Sequence, residues 1–168
     1  MQLTKLCVSV VTFSLVLAPQ AHAQMGGGMT PSPRVETQVD ATVPYQNGIA
    51  AFKAGDYAKA IRELRTARAA NSTDGAIPYA LGLAYAASGK KKEAKQAFQS
   101  AVRTRNAPIP AYLELGIVAL ELGERDTAAK QHAALEKKLA GCDARFGDET
   151  RTQIRSAMDL LAQKLGAP

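Results

Sequence analysis

Glycine recurs in pairs at a fixed step of thirty-four residues: Gly48 and Gly55, Gly82 and Gly89, Gly116 and Gly123. Alanine keeps the same step at Ala60, Ala94 and Ala128. A register kept at several positions through three copies means one structural unit used repeatedly, each copy stacked on the next because none can bury its apolar face alone. The punctuation inside the unit describes a helix pair. In the first copy Pro44 suits an opening helical turn, where its missing N–H costs nothing. Gly55 follows Lys53 and Ala54 as the left-handed residue that ends a helix, and Asp56 stands where the next helix needs an N-cap. A second helix from Tyr57 to Ala70 gives way to the polar turn Asn71-Ser72-Thr73-Asp74. The pattern returns with Pro78, Gly89 and a helix over 91–104, then with Pro110, Gly123 and a helix over 125–140. Turns this short force the paired helices antiparallel. The expected fold is therefore all-α, an α-solenoid of three antiparallel helix pairs over 41–74, 75–108 and 109–142.

Apolar spacing agrees with that division. Tyr57, Ala60, Ile61, Leu64 and Ala67 form one helical stripe, and Ala94, Ala97, Phe98, Ala101 and Val102 form another. A glycine buried in a helix costs about 1 kcal/mol against alanine and needs a steric reason. Gly48, Gly82 and Gly116 are accordingly expected where a side chain would push paired helices apart. Residues 143–168 carry no glycine pair of this kind. Asp148 is placed to cap a final helix whose stripe is Ile154, Ala157, Met158, Leu161 and Leu165, with Arg151, Arg155, Asp159 and Lys164 outside it. Such a helix is expected to cap the last repeat, whose flank is otherwise exposed.

The middle unit carries Leu81-Gly82, Tyr85, Ala94 and Phe98, which resembles the signature of the tetratricopeptide repeat (TPR). The first unit keeps Gly48, Ala60 and Leu64 but has Asn47 and Ala51 at the leucine and tyrosine slots. The third keeps Tyr112, Leu115-Gly116 and Ala128, with His132 in the aromatic slot, where a core histidine with one polar partner is expected. The resemblance spans about 41–142. It implies a groove lined by the first helix of each pair, receiving a peptide or a partner helix. Projected onto this chain, the lining is Tyr45, Ile49, Phe52 and Lys53, then Tyr79, Leu83, Ala86 and Ala87, then Leu113, Ile117, Leu120 and Glu121. Some members of the family clamp a C-terminal carboxylate with asparagines and lysines. Ile49, Leu83 and Ile117 occupy the matching asparagine slots, so the resemblance implies an apolar groove without that clamp, in which Tyr45, Phe52 and Tyr79 serve as anchors. The alternatives are that the leader or the terminal helix covers this face, or that two copies pack through it.

The start of the chain has the features of an export signal. Lys5 precedes an apolar run from Leu6 to Ala18, followed by Pro19 and Ala21-His22-Ala23, which predicts cleavage after Ala23. The run is shorter than the roughly 20 residues that span a hydrocarbon core. An exported, periplasmic protein with no stable membrane span is expected. Residues 24–40, with Gly26-Gly27-Gly28, Pro31 and Pro33, have the composition of a flexible leader. Cleavage removes Lys5 and no acid, taking the net charge from +6 to +5. Cys142 is then the one remaining cysteine, either a capped thiol at a helix end or a partner in an intermolecular disulfide.

Function classes narrow on the same residues. No nucleophile with a base, histidine pair, acid cluster or phosphate-binding glycine loop is present, so neither an enzyme nor a cofactor or metal site is expected. Lys59, Arg62, Arg65 and Arg68 follow one second helix, and Lys90, Lys91, Lys92 and Lys95 open another. This makes the outer face basic, a solvated surface or a weak contact for an anionic one. The aromatics fall on the opposite face, which argues against nucleic acid. The expectation is a non-catalytic adaptor or scaffold of the cell envelope, with a self-associating structural module as the rival.

Overall fold

A computed structural model describes residues 40–141 and 147–166. The expected signal segment, the leader as far as residue 39, and Cys142 lie outside the described residues. Seven helices and no strand make up what is described: α1 Thr42–Lys53, α2 Tyr57–Ala70, α3 Ala76–Ala87, α4 Lys91–Val102, α5 Ile109–Glu121, α6 Arg125–Ala140 and α7 Asp148–Leu165. They form an α-solenoid. α1 packs on α2, α3 on α4 and α5 on α6; α2 meets α3 and α4 meets α5, while α7 closes the series against α5 and α6.

The turn inside each pair is the same hydrogen-bonded motif three times. Gly55, Gly89 and Gly123 have φ of 79°, 75° and 78°, the left-handed region where glycine meets no Cβ penalty. Gly55 N–H donates to Phe52 O at 3.0 Å and Asp56 N–H to Ala51 O at 2.9 Å; Lys90 to Tyr85 and Glu124 to Ala119 repeat the second of these bonds. These bonds satisfy carbonyls that a helix end otherwise leaves open. Asp56 caps α2 by accepting from Lys59 N–H at 2.9 Å. That cap is not copied: Lys90 and Glu124 precede α4 and α6 without side-chain caps. α4 also ends at Val102, short of Thr104, whose hydroxyl donates to Ala101 O at 2.7 Å and competes with another helical turn.

The core follows the two stripes. Ala60, Ile61, Leu64 and Ala67 of α2, and Ala94, Ala97, Phe98 and Ala101 of α4, are buried. A Cβ added to Gly48 would stand 2.6 Å from Leu64 Cγ, and one added to Gly82 would stand 2.5 Å from Phe98 Cδ1. In these two pairs the glycine admits the large side chain of its own partner helix.

The third pair departs from the expectation. A Cβ on Gly116 would meet Leu161 Cδ1 at 2.6 Å, a residue of α7 and not of α6. His132, which stands in the slot of Leu64 and Phe98, keeps 24% of its side chain exposed and lies 3.6 Å from Glu136 through Nδ1. An imidazole carries a polar requirement that a close-packed apolar slot cannot meet. The helix-filling role moves one turn along α6 to Leu135, which is fully buried, and α7 supplies the knob over Gly116. α7 thus reaches into the third unit as well as capping its flank. The expected Asp148 cap is corrected too. Gly147 is the N-cap, and Asp148 lies in the first turn with its carboxylate 3.9 Å from Arg151. Arg125 at the start of α6 donates to the carbonyl of Leu165 at the far end of α7.

Candidate functional site

The twelve residues that the sequence picks out lie on the first helix of each pair, α1, α3 and α5. Tyr45, Ile49 and Phe52 are half-buried and rest on the first core cluster, with Ala51 and Leu64 beneath them. Tyr79, Leu83 and Ala86 rest likewise on Phe98 and Leu115, and Leu113 on Tyr112 and Leu135. Ile117 and Leu120 are half-buried, while Lys53, Ala87 and Glu121 are exposed. Each first helix has one side in the core and presents a second apolar row that is neither sealed nor free.

Two of the three aromatic anchors are held by rings of their own unit. Phe52 stands 5.7 Å from Tyr57 across the α1–α2 turn, and Tyr79 stands 6.0 Å from Phe98, both tilted. Such contacts fix ring orientation and contribute about 0.5–1.5 kcal/mol each beyond burial. In the third unit the slot of Tyr45 and Tyr79 holds Leu113, and the neighbouring aromatic, Tyr112, is spent on the fold. Its hydroxyl donates to Val102 O at 3.3 Å, and Lys138 Nζ lies 5.1 Å over its ring.

Two of the lysines that open α4 have acidic partners in the next pair. Lys91 pairs with Glu121 at 3.1 Å, and Lys95 with Glu124 at 2.5 Å, so two lysines of α4 hold the end of α5 and the start of α6. Their unfavourable position at a helix N-terminus is offset within the chain. Glu121 is therefore tied to the solenoid at the groove's edge. Lys95 also holds the Glu124 carboxyl below its ordinary range.

Glu114 is the residue that sequence reasoning missed. It follows Leu113, is half-buried, and shares a helical side of α5 with Glu121 two turns away. Burial pushes its carboxyl above the usual range and the Glu121 charge adds to that; burial and the Glu114 charge together raise the Tyr79 hydroxyl. No lysine or arginine among the described residues offsets it. The available signal was the slot itself, filled by Gln46, Ala80 and Glu114 in successive units and charged in the last alone.

Beyond Leu113 the wall continues onto α7. Ile109, Pro110 and Leu113 face Gln153, Ala157 and Leu160 across an apolar trough of about 330 Å³. Leu160, 39% exposed, and Val43 are the exposed large hydrophobics among the described residues. Among the same residues no group of three His, Cys, Asp or Glu side chains converges to hold a metal ion. No described helix is long and apolar enough to cross a membrane.

The tetratricopeptide repeat family matches residues 45–108 and 79–141, together more than half of the chain. The chain belongs to the tetratricopeptide repeat family. The TPR fold is a protein-interaction fold, and solved structures of it superpose on the described helices. The Sgt2 TPR domain from Aspergillus fumigatus aligns with a TM-score of 0.58 and 17% identity, covering 77% of this chain and 83% of that one. The Yersinia enterocolitica type III secretion chaperone SycD, in complex with a peptide of the translocator YopD, gives 0.55 and 17%, covering 73% and 92%. The second TPR of Spaghetti (RPAP3), bound to the HSP90 peptide SRMEEVD, gives 0.53 and 23%, covering 56% and 87%. Likeness at these identities extends to the fold alone. No curated protein matches the chain in sequence.

Proposed function

We propose that this protein is an exported, non-catalytic adaptor of the cell envelope that receives a peptide or helix of a partner protein in the groove formed by α1, α3 and α5. The observation that carries the reading is the apolar row from Tyr45 to Leu120, whose large side chains are only half-buried along α1, α3 and α5. An apolar face of that extent favours an occupant. The peptide complexes of SycD and RPAP3 support the mode of binding, since each of those domains holds a peptide. The features of residues 1–23 support export, with cleavage after Ala23.

A cross-linker placed at Leu83 in the protein expressed in its own cells tests the reading. Adducts with another envelope protein, lost on Tyr79→Glu, are the expected result. Adducts with the chain itself alone, together with a stable dimer by light scattering that Phe52→Glu or Tyr79→Glu dissociates, would replace the adaptor with a self-associating module.

A further inference from the structure

The cations of the second helices divide by what answers them. Lys91 and Lys95 have glutamates within 3.1 Å, Lys138 lies over the Tyr112 ring, Arg68 reaches the Ser100 hydroxyl at 3.2 Å, and Arg62 stands 3.9 Å from Glu63. Arg103 and Lys130 differ. They line one open hollow of about 390 Å³ between the end of α4 and the first turns of α6, with Val102 and the buried Leu115 at its floor. Arg103 Nε donates to the backbone carbonyl of Gln99 at 3.1 Å, which leaves the two amino groups of its guanidinium without a partner among the described residues. Lys130 has neither an ion pair nor a hydrogen bond to a described residue, even with Asp126 one turn before it. No aspartate or glutamate lines the hollow. Glu124 reaches its edge through the Thr127 hydroxyl, but its carboxylate is taken by Lys95. Two like charges on one hollow repel each other, and an anion arriving from outside relieves that repulsion.

The surroundings choose among anions. The exposed large hydrophobics among the described residues, Val43 and Leu160, lie on α1 and α7, so the second helices carry no apolar anchor of the kind that seats a protein in a lipid surface. No aromatic ring lines the hollow to stack a base. Two cations, the side-chain amides of Gln99 and Gln131 and an aliphatic floor suit a peptide that brings carboxylates and aliphatic side chains together.

We propose that the hollow between α4 and α6 is a second docking site, which takes an acidic segment of a partner protein: an aspartate or glutamate pairs with Arg103 and Lys130 while a neighbouring aliphatic side chain rests on Val102. The site is separate from the groove of α1, α3 and α5 and does not depend on it. Basic segments are rejected, because they add a further positive charge beside Arg103 and Lys130.

A displayed library of random twelve-residue peptides, panned against the purified protein, tests this. Peptides with aspartate or glutamate next to leucine, isoleucine or valine are expected in the pools from the wild type and from the groove variant Leu83→Glu. They are expected to be missing from a pool selected on the double variant Arg103→Gln, Lys130→Gln, and one of them should bind that variant about a hundredfold more weakly, about tenfold for each charge-assisted contact. Both side chains are exposed, and a helical melting transition verifies the fold of each variant. A second double variant, Lys59→Gln with Lys92→Gln, removes the same charge from exposed positions of α2 and α4 outside the hollow, and there the affinity should stay within about threefold. Equal loss in the two double variants would mean diffuse attraction and overturns the site. So does a wild-type pool without acidic enrichment, and so does an acidic pool that is lost on Leu83→Glu, which would place those peptides in the groove. Sedimentation with phosphatidylglycerol vesicles that requires Arg103 and Lys130, with no acidic peptide recovered, replaces the protein partner with a lipid surface and overturns the proposal as stated.

Discussion

The first two helix pairs and the third are built from the same period but are filled differently. Leu64 and Phe98 each close the space over the glycine of their own pair, and the clusters they belong to then run on into the pair that follows. The third unit has His132 in that place, about a quarter exposed beside Glu136, and borrows Leu161 from α7. A repeat can therefore drift in sequence at a core position when the next element supplies the missing volume. The first two units fill the space over their glycines from their own second helix, whereas the last takes that filling from the cap.

The difference can be attacked directly. Phe98→Ala is expected to cost about 3–5 kcal/mol and Leu161→Ala about 2–5 kcal/mol, but with different reach. The former should lower the single unfolding transition of the whole array, and the latter should chiefly strip hydrogen-exchange protection from α7 and the exposed side of α6. Equal loss of protection at α2 in both variants would erase the distinction between a glycine covered by its own pair and one covered by α7.

Smaller changes sharpen it. Gly82→Ala drives a Cβ into the Phe98 ring, fixed between two helices, while Gly116→Ala meets Leu161 on a terminal helix that has room to shift. Each is expected to destabilise, by about 1–3 kcal/mol at Gly82 and by less at Gly116, read from denaturant midpoints. His132→Leu, which restores the family pattern, is expected to move stability by no more than about 0.5 kcal/mol, because Leu161 already occupies the space. A large gain would mean that the slot over Gly116 is unfilled.

The smallest effect contrasts the two carboxylates whose pKa values move in opposite directions. Glu114 is raised, so its contribution is fully present below 4.5 and is lost as pH rises through the folded value. Glu114→Gln should therefore raise the melting temperature at pH 7, and the gain should vanish in acid below 4.5. Glu124 is lowered, so its contribution is present above 4.5 and is lost as pH falls through the folded value. Glu124→Gln should lower the melting temperature at pH 7, and the difference should close in acid. Parallel pH profiles for the two variants would contradict these assignments.

The solenoid was legible because period and residue type reinforce one another. Gly55, Gly89 and Gly123 mark turns that require a left-handed backbone, and the alanines at the same step allow helices to close on one another. The departures were illegible for a physical reason. A periodic reading assumes that each slot is filled by its own copy, and Leu161 lies outside the period. The lysines that open α4 look like a surface feature until Glu121 and Glu124 are brought opposite them by the stacking of α5 on α4. Of the groove, the apolar row is visible at helical spacing. Glu114 is not, because its importance comes from what surrounds it and not from its type.

Leu161 also determines where this protein can be cut. A boundary drawn at the end of the third period would seem to yield a tidy module, yet ending the chain after α6 would leave the space over Gly116 unfilled and Leu135 without its cover from Ile154 and Ala157. The smallest portable fragment is thus three periods plus the helix that follows. A fourth unit spliced in before α7 would have to bring its own small residue for Leu161 to settle on.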